Sequence, residues 1–191
     1  MARTVFYSEQ KKKNNMRIVS GKFRGRRLTP PTNITARPTT DFAKESLFNV
    51  LGNYIDMDGA TILDLFSGTG SISFECISRG CMHANSVEMS ENHIAFIKKT
   101  AATLKIDNLR VFRSDVFRFL DVNNEMYDLI FADPPYQLPD IADIPDRIFA
   151  KKRLRDGGVF VLEHGKNNSF DTHPHFAEHR NYGNVHFSFF R

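Results

Sequence analysis

From residue 60 onward, short apolar runs alternate with segments whose apolar positions recur at helical spacing. "ATILDLF", "ANSVE", "LRVFRSD", "YDLIFAD" and "GGVFVLEHG" have the length and composition of buried strands. Between them lie helix patterns: "ISFECISRG", closed by Gly80, then "SENHIAFIKKTAATLKI", the short "VFRFLDV", and "IADIPDRIFAKKRL", which Pro145 interrupts. "FAEHRNYG" and "NVHFSFFR" read as two closing strands, the last with aromatic alternation. Strands alternating with helices predict an α/β fold, a parallel sheet covered on both faces.

The first 58 residues read differently. Residues 1–15 are polar, include "KKKNN" and have no apolar period, so they are expected to be disordered or an extension. "MRIVSGKFRGRRL" alternates around Gly21 and Gly25, like a short basic hairpin. "TPPTNITARPTT" is a proline-broken loop. "TTDFAKESLFNVLGNYI" is a helix capped by Thr40 or Asp41, with Phe42, Leu47, Val50 and Leu51 as its apolar face. The expected division is therefore 1–15, then a basic element over 16–58, then a catalytic domain over 59–191.

Charge sharpens this division. Residues 1–40 hold ten Lys/Arg and one acid, Glu9. The rest of the chain holds 16 basic residues against 21 acidic ones, since the whole has 26 and 22. A basic arm on a mildly acidic body points to a polyanionic partner, nucleic acid first. No run of 18 apolar residues and no signal-peptide core is visible, so no membrane partner is expected. Cys76 and Cys81 supply no full zinc ligand set, and a reduced, cytoplasmic protein without a metal is expected.

In a parallel sheet, ligands bind beyond the carboxyl ends of the strands. The residues there are Asp64 to Gly70, Glu88, Asp115, and Asp133 to Tyr136. In "DLFSGTGS", Gly68 and Gly70 allow a sharp turn and close approach of a ligand. Asp64 before that turn would repel a pyrophosphate but suits a ligand bearing an ammonium group, as S-adenosylmethionine does; it also suits bonding to loop amides. Glu88 can accept ribose hydroxyls, or cap the turn at Ser90. Asp115 can accept an adenine amine, or act as a helix N-cap.

"DPPY" fits an exocyclic amine. Asp133 and Pro134 each precede a proline, which favours extended backbone. The prolines remove two backbone donors. An acceptor-rich corner results, made of the Asp133 carboxylate and the Pro134 carbonyl. Two fixed acceptors match the two hydrogens of a base NH2 and turn its lone pair toward an electrophile. Tyr136 can stack on the base.

"DLFSGTG", "VE", "SDVF" and "DPPY", in that order, resemble class I S-adenosylmethionine-dependent methyltransferases of the amino-methylating type. "MRIVSGKFRGRRL" and "RPTTDFAKESLFNVL" narrow the resemblance to the RsmD type, which methylates the N2 amine of one guanine in small-subunit (16S) ribosomal RNA. It covers residues 16 to about 190. The resemblance implies a Rossmann-like, mostly parallel seven-stranded sheet with helices on both faces and an antiparallel last strand, beside a small basic hairpin and helix. It implies S-adenosylmethionine as methyl donor and S-adenosylhomocysteine as product. Arg37, Thr39 and Thr40 would close over this cofactor; Asp64, Phe66, Gly68 and Gly70 would line its methionine end. Glu88 would hold the ribose, Met89 would pack on the adenine, and Asp115 and Val116 would contact its edge. Asp133, Pro134, Pro135 and Tyr136 would hold the guanine. Arg17, Lys22, Arg24, Arg26 and Arg27 would meet RNA phosphates. The implied partner is ribosomal RNA or the small subunit, met as a monomer.

Two other functions compete with this one. A DNA adenine-N6 or cytosine-N4 methyltransferase shares the DPPY corner, but little chain follows the fifth strand to read a DNA target. A non-catalytic RNA-binding assembly protein would retain only a relic of the pocket; the intact acceptor corner argues against it.

Overall fold

The computed structural model describes residues 16–31 and 40–191. The disorder expected for residues 1–15 lies outside the described residues, as do most of the proline-broken loop and the candidates Arg37 and Thr39.

The described elements run β1 (Met16–Arg17), β2 (Arg27–Leu28), α1 (Asp41–Leu51), β3 (Thr61–Leu65), α2 (Ser71–Ser78), β4 (His83–Glu88) and α3 (Glu91–Leu104). There follow β5 (Leu109–Arg113), α4 (Val116–Val122), β6 (Tyr127–Ala132), α5 (Asp143–Ala150), β7 (Leu154–His164), β8 (Phe176–Tyr182) and β9 (Val185–Phe190). Seven strands form one sheet in the order β5-β4-β3-β6-β7-β9-β8. The first five pair in parallel, and β9 runs antiparallel between β7 and β8. This is the Rossmann-like architecture that the sequence resemblance implied.

The apolar runs are continuous because both sheet faces are buried. Along β7, Val159 and Val161 enter a core with α1 and α2, while Phe160 and Leu162 face α4 and α5. Leu129 and Phe131 of β6 divide from Ile130 and Ala132 in the same way. Each side chain alternates across the pleat, so an unbroken apolar run fills two cores at once. Cys76 and Cys81 are buried and unbridged. No described helix is long and apolar enough to cross a membrane.

Two local readings of the sequence need correction. Phe42 is not on the buried face of α1: it is 69% exposed. The inward stripe is Ala43, Lys44, Leu47, Phe48 and Leu51. Phe42 lies off that stripe and meets Tyr182 edge-on at 5.9 Å. Pro145 does not interrupt a helix. It is the third residue of α5, where its missing N–H costs no intrahelical bond. The segment before Asp143 forms turns instead, and β7 begins earlier than its apolar run, at Leu154. At the start of α1, Thr40 is the cap: its Oγ1 accepts from the Ala43 N–H at 3.1 Å.

Candidate active site

Strand order reverses between β3 and β6: β4 and β5 lie beyond β3, while β7 lies beyond β6. A crevice opens at such a point because the connections leave the sheet on opposite faces. The loops after β3 and β6 carry the glycine turn and the DPPY stretch, so both motifs meet there. The register sets Leu65 opposite Ala132, and the Asp133 N–H reaches back to the Leu65 carbonyl at 3.4 Å.

The glycine turn is built for close approach. Phe66, Gly68 and Gly70 all have positive φ, 60°, 53° and 75°. A Cβ on Gly68 would meet only the Phe66 carbonyl, at 3.9 Å, so the space over that residue is open. A Cβ on Gly70 would lie 3.1 Å from Ile97 and Phe74, so that glycine is needed for packing as well as for its left-handed backbone. The turn closes through the Gly70 N–H and the Ser67 carbonyl at 2.7 Å.

Asp64 lies under this turn, 1% exposed. One carboxylate oxygen accepts from Ser73 twice, from its N–H at 3.1 Å and its Oγ at 2.5 Å. The residue thus holds the first turn of α2. Burial, opposed by the Ser73 bonds and aided by the charges of Asp133 and Glu88, pushes its pKa up to about 7. Asp64 therefore feels the charges of two neighbouring strand ends, those of Asp133 and Glu88. A cationic ligand placed among them would relieve that repulsion.

Glu88 ties the turn to the next strand. Its Oε2 accepts from the Gly68 N–H at 2.8 Å, and its Oε1 from the N–H groups of Met89 and Ser90 at 2.9 and 2.8 Å. His93 Nδ1 stands 3.4 Å away. Met89 beside it is 64% exposed, a large apolar side chain at the mouth of the crevice. Asp115 caps α4 by accepting from the Arg118 N–H at 3.0 Å, and Val116 is buried below it.

In the DPPY loop, Pro134 is buried, Pro135 exposed, and Tyr136 39% exposed. The Leu138 N–H donates to the Pro135 carbonyl at 2.8 Å and closes the loop. Tyr136 is held at two places. Its hydroxyl donates to Glu163 at 3.2 Å, and a Cβ on Gly165 would lie 3.3 Å from its ring. Glu163, 4% exposed, is a site residue that the sequence reading passed over. The signal was there: an acid at the carboxyl end of "GGVFVLEHG", found by the rule that picked out the other four strand ends.

The candidates for RNA contact share one hairpin. Arg17, Lys22, Arg24, Arg26 and Arg27 are all exposed on the β1–β2 hairpin. Its other side buries Met16 and Ile18 with Phe74, Phe96 and Ile97. Arg17 is also committed to an ion pair with Asp41 at 2.8 Å, so an RNA phosphate would compete with that carboxylate. Elsewhere, His173 meets Asp146 at 3.2 Å, and His175 stacks on Phe149 at 3.8 Å.

Residues 16–191 match the family described as Conserved hypothetical protein 95. The chain is 33% identical over 159 residues to the ribosomal RNA small subunit methyltransferase D of Escherichia coli K12, covering 83% of this chain and 79% of that protein. Among solved structures it resembles a hypothetical protein of Thermus thermophilus, with a TM-score of 0.80 and 28% identity over 92% and 98% of the two chains. A methyltransferase solved with SAH bound shares the fold, with a TM-score of 0.60 and 18% identity over 78% of this chain and 49% of the other.

Proposed function

We propose that this chain, which belongs to the Conserved hypothetical protein 95 family, is an S-adenosylmethionine-dependent RNA methyltransferase that modifies the N2 amine of a guanine in small-subunit ribosomal RNA. The observation that carries this reading is the meeting of the glycine turn and DPPY at the switch point, beside a buried Asp64 that feels the charges of Asp133 and Glu88. The relative named as a ribosomal RNA small subunit methyltransferase supports the RNA class, and the basic hairpin fits a phosphate backbone. The substrate is ribosomal RNA, free or within the small subunit, met by a monomer in the cytoplasm.

The residues fit the cofactor. Bound S-adenosylmethionine supplies an electrophilic methyl group on a sulfonium. The open space above Gly68 admits its methionine end, and the carboxylates of Asp64 and Glu88 favour its positive charges. A carboxylate has about four lone-pair positions. Glu88 has committed three of them to N–H groups, and a ribose hydroxyl takes the position that His93 now faces. Met89 covers the adenine, with Asp115 and Val116 at its edge. Thr40, the cap of α1, would close over the cofactor together with Arg37 and Thr39.

At the other wall, the Asp133 carboxylate and the Pro134 carbonyl accept the two N2 hydrogens and aim the lone pair at the methyl. Tyr136 stacks on the base, steadied by Glu163. As the N–C bond forms and the C–S bond breaks, the nitrogen becomes positive and the carboxylate stabilises it. One N–H proton is then lost, with Asp133 the adjacent acceptor. Orientation of two bound reactants supplies much of the remaining rate.

The raised pKa of Asp64 gives a pH dependence. Ionised Asp64 attracts the cofactor's ammonium and neutral Asp64 does not. Its carboxyl is largely protonated at pH 6 and largely ionised at pH 8. S-Adenosylhomocysteine should therefore bind about tenfold tighter at pH 8 than at pH 6. Calorimetry across that range checks this, and Asp64→Asn should flatten the curve.

The function itself is tested by incubating the purified chain with labelled methyl donor and, in separate reactions, unmodified small subunits, their RNA, or DNA, then digesting to nucleosides. N2-methylguanosine is expected. Label in adenine or cytosine of DNA would favour the competing enzyme, and no label with no S-adenosylhomocysteine binding would favour a relic pocket.

A further inference from the structure

The basic hairpin has little to hold it by itself. Its strands contribute only two residue pairs, Met16 with Leu28 and Arg17 with Arg27. The anchoring comes from α2. Glu75, in the middle of that helix, is fully buried. Its two oxygens accept from the Val19 and Ser20 N–H groups at 2.8 and 2.9 Å. Arg79 Nε donates to it at 2.9 Å, and the buried Lys44 ammonium lies 3.7 Å away. One turn on, Ser78 Oγ donates to the Ser20 carbonyl at 2.5 Å and accepts from the Phe23 N–H at 2.9 Å. The Ser78 carbonyl accepts from the Lys22 N–H at 2.6 Å. The two backbones are so close at Gly21 that a Cβ there would sit 1.7 Å from the Ser78 carbonyl oxygen.

The same helix opens at the glycine turn. Lys44 Nζ donates to the Arg17 carbonyl at 2.5 Å and to Ser71 Oγ at 3.2 Å, joining the hairpin to the first residue of α2. Thr69, within the glycine turn, donates to Met16 Sδ at 3.5 Å. One short helix therefore touches the cofactor turn at its start and grips the hairpin along its length.

We propose that Glu75, Ser78 and Gly21 are positioning residues for the RNA substrate. They lock the basic hairpin to α2 and so fix its five exposed cations relative to the methyl donor. The chemistry of the lock favours this over general stabilisation. A fully buried carboxylate is costly to desolvate, and apolar packing would hold a helix face as well. A carboxylate that takes two successive backbone N–H groups instead dictates one register and one orientation. Hairpin cations already in place lose less entropy when phosphates arrive.

This inference rests on the RNA methyltransferase reading, and its test separates the two. Gly21→Ala adds one methyl at an exposed position outside both the active site and the core. It should raise KM for small-subunit RNA about tenfold or more, leave S-adenosylhomocysteine affinity within twofold, and speed trypsin cleavage between Lys22 and Arg27. Glu75→Gln, which sets an amide NH2 against one of the two backbone N–H groups and removes the charge, should change the same three quantities in the same directions. Wild-type KM and wild-type cleavage in Gly21→Ala would overturn the inference. So would an equal loss of RNA and cofactor binding, the mark of a merely structural contact. A wild-type chain that methylates no RNA would instead overturn the functional reading, while the cleavage comparison would still decide whether the lock exists.

Discussion

Replacing Asp133 with alanine is expected to lower methyl transfer to RNA by about a thousandfold or more while S-adenosylhomocysteine binding changes by less than threefold. The size follows from two functions lost together. On the proposed function, the carboxylate orients the amine and stabilises the positive charge that appears only as nitrogen takes the methyl. Removing one group that acts on transition-state charge commonly costs 10²–10³ in kcat. Here the orienting bond goes as well. Asp133→Asn should be milder, a loss of about tenfold to a hundredfold, since the amide oxygen still accepts one hydrogen but carries no charge. Binding of the cofactor should survive because Asp133 follows β6, across the switch point from the glycine turn proposed to take the methionine end. Single-turnover rates with saturating RNA and donor separate the chemical step from binding.

Loss of Glu88 should act on the other substrate. Glu88→Ala removes the acceptor of three N–H groups, those of Gly68, Met89 and Ser90, along with the proposed ribose contact. Hydrogen bonds to a charged group contribute about 1.5–3 kcal/mol each. One lost to the ribose, added to a loosened turn, weakens S-adenosylhomocysteine binding by about a hundredfold. RNA binding without cofactor should be unchanged, since the hairpin is anchored on α2 rather than on β4. Asp115→Ala offers the contrast. It removes one helix cap, of about 1 kcal/mol, and should weaken the cofactor by no more than about tenfold. Titration of each variant by calorimetry checks the order. Equal losses in both variants would mean that Glu88 has no special place in the pocket.

Much of the architecture was legible because its signals are local. β3, β6 and β7 are apolar along their length since both faces are covered, and Asp, Gly or Pro marks where each ends. Thr40 could be read as a cap from the helix that follows it. Phe42 could not be placed correctly, because a stripe that includes buried Lys44 does not look apolar. That lysine is satisfied by the Arg17 carbonyl and Ser71, partners 27 residues away on either side.

The site divided along the same line. The strand-end rule picked out the turn, Glu88, Asp115 and DPPY from spacing alone, and applied once more it would have included Glu163. The partners of these side chains were hidden. Asp64 bonding to Ser73, and Glu88 to three N–H groups, depend on how a turn folds back on its neighbours. Glu75 was the least visible, since an acid within "ISFECIS" gains its meaning only from Val19 and Ser20, more than 50 residues earlier.

On the proposed function, the acceptor corner at Asp133 holds one guanine of small-subunit RNA while its amine takes the methyl group. Mass mapping of that RNA from cells lacking the gene tests it most directly, with the wild-type chain or the Asp133→Ala chain restored. One guanine should lack a single methyl in the deleted strain, regain it with the wild-type chain, and stay bare with Asp133→Ala. RNA with an unchanged set of methyl groups in the deleted strain, or methylation restored by Asp133→Ala, would contradict the account.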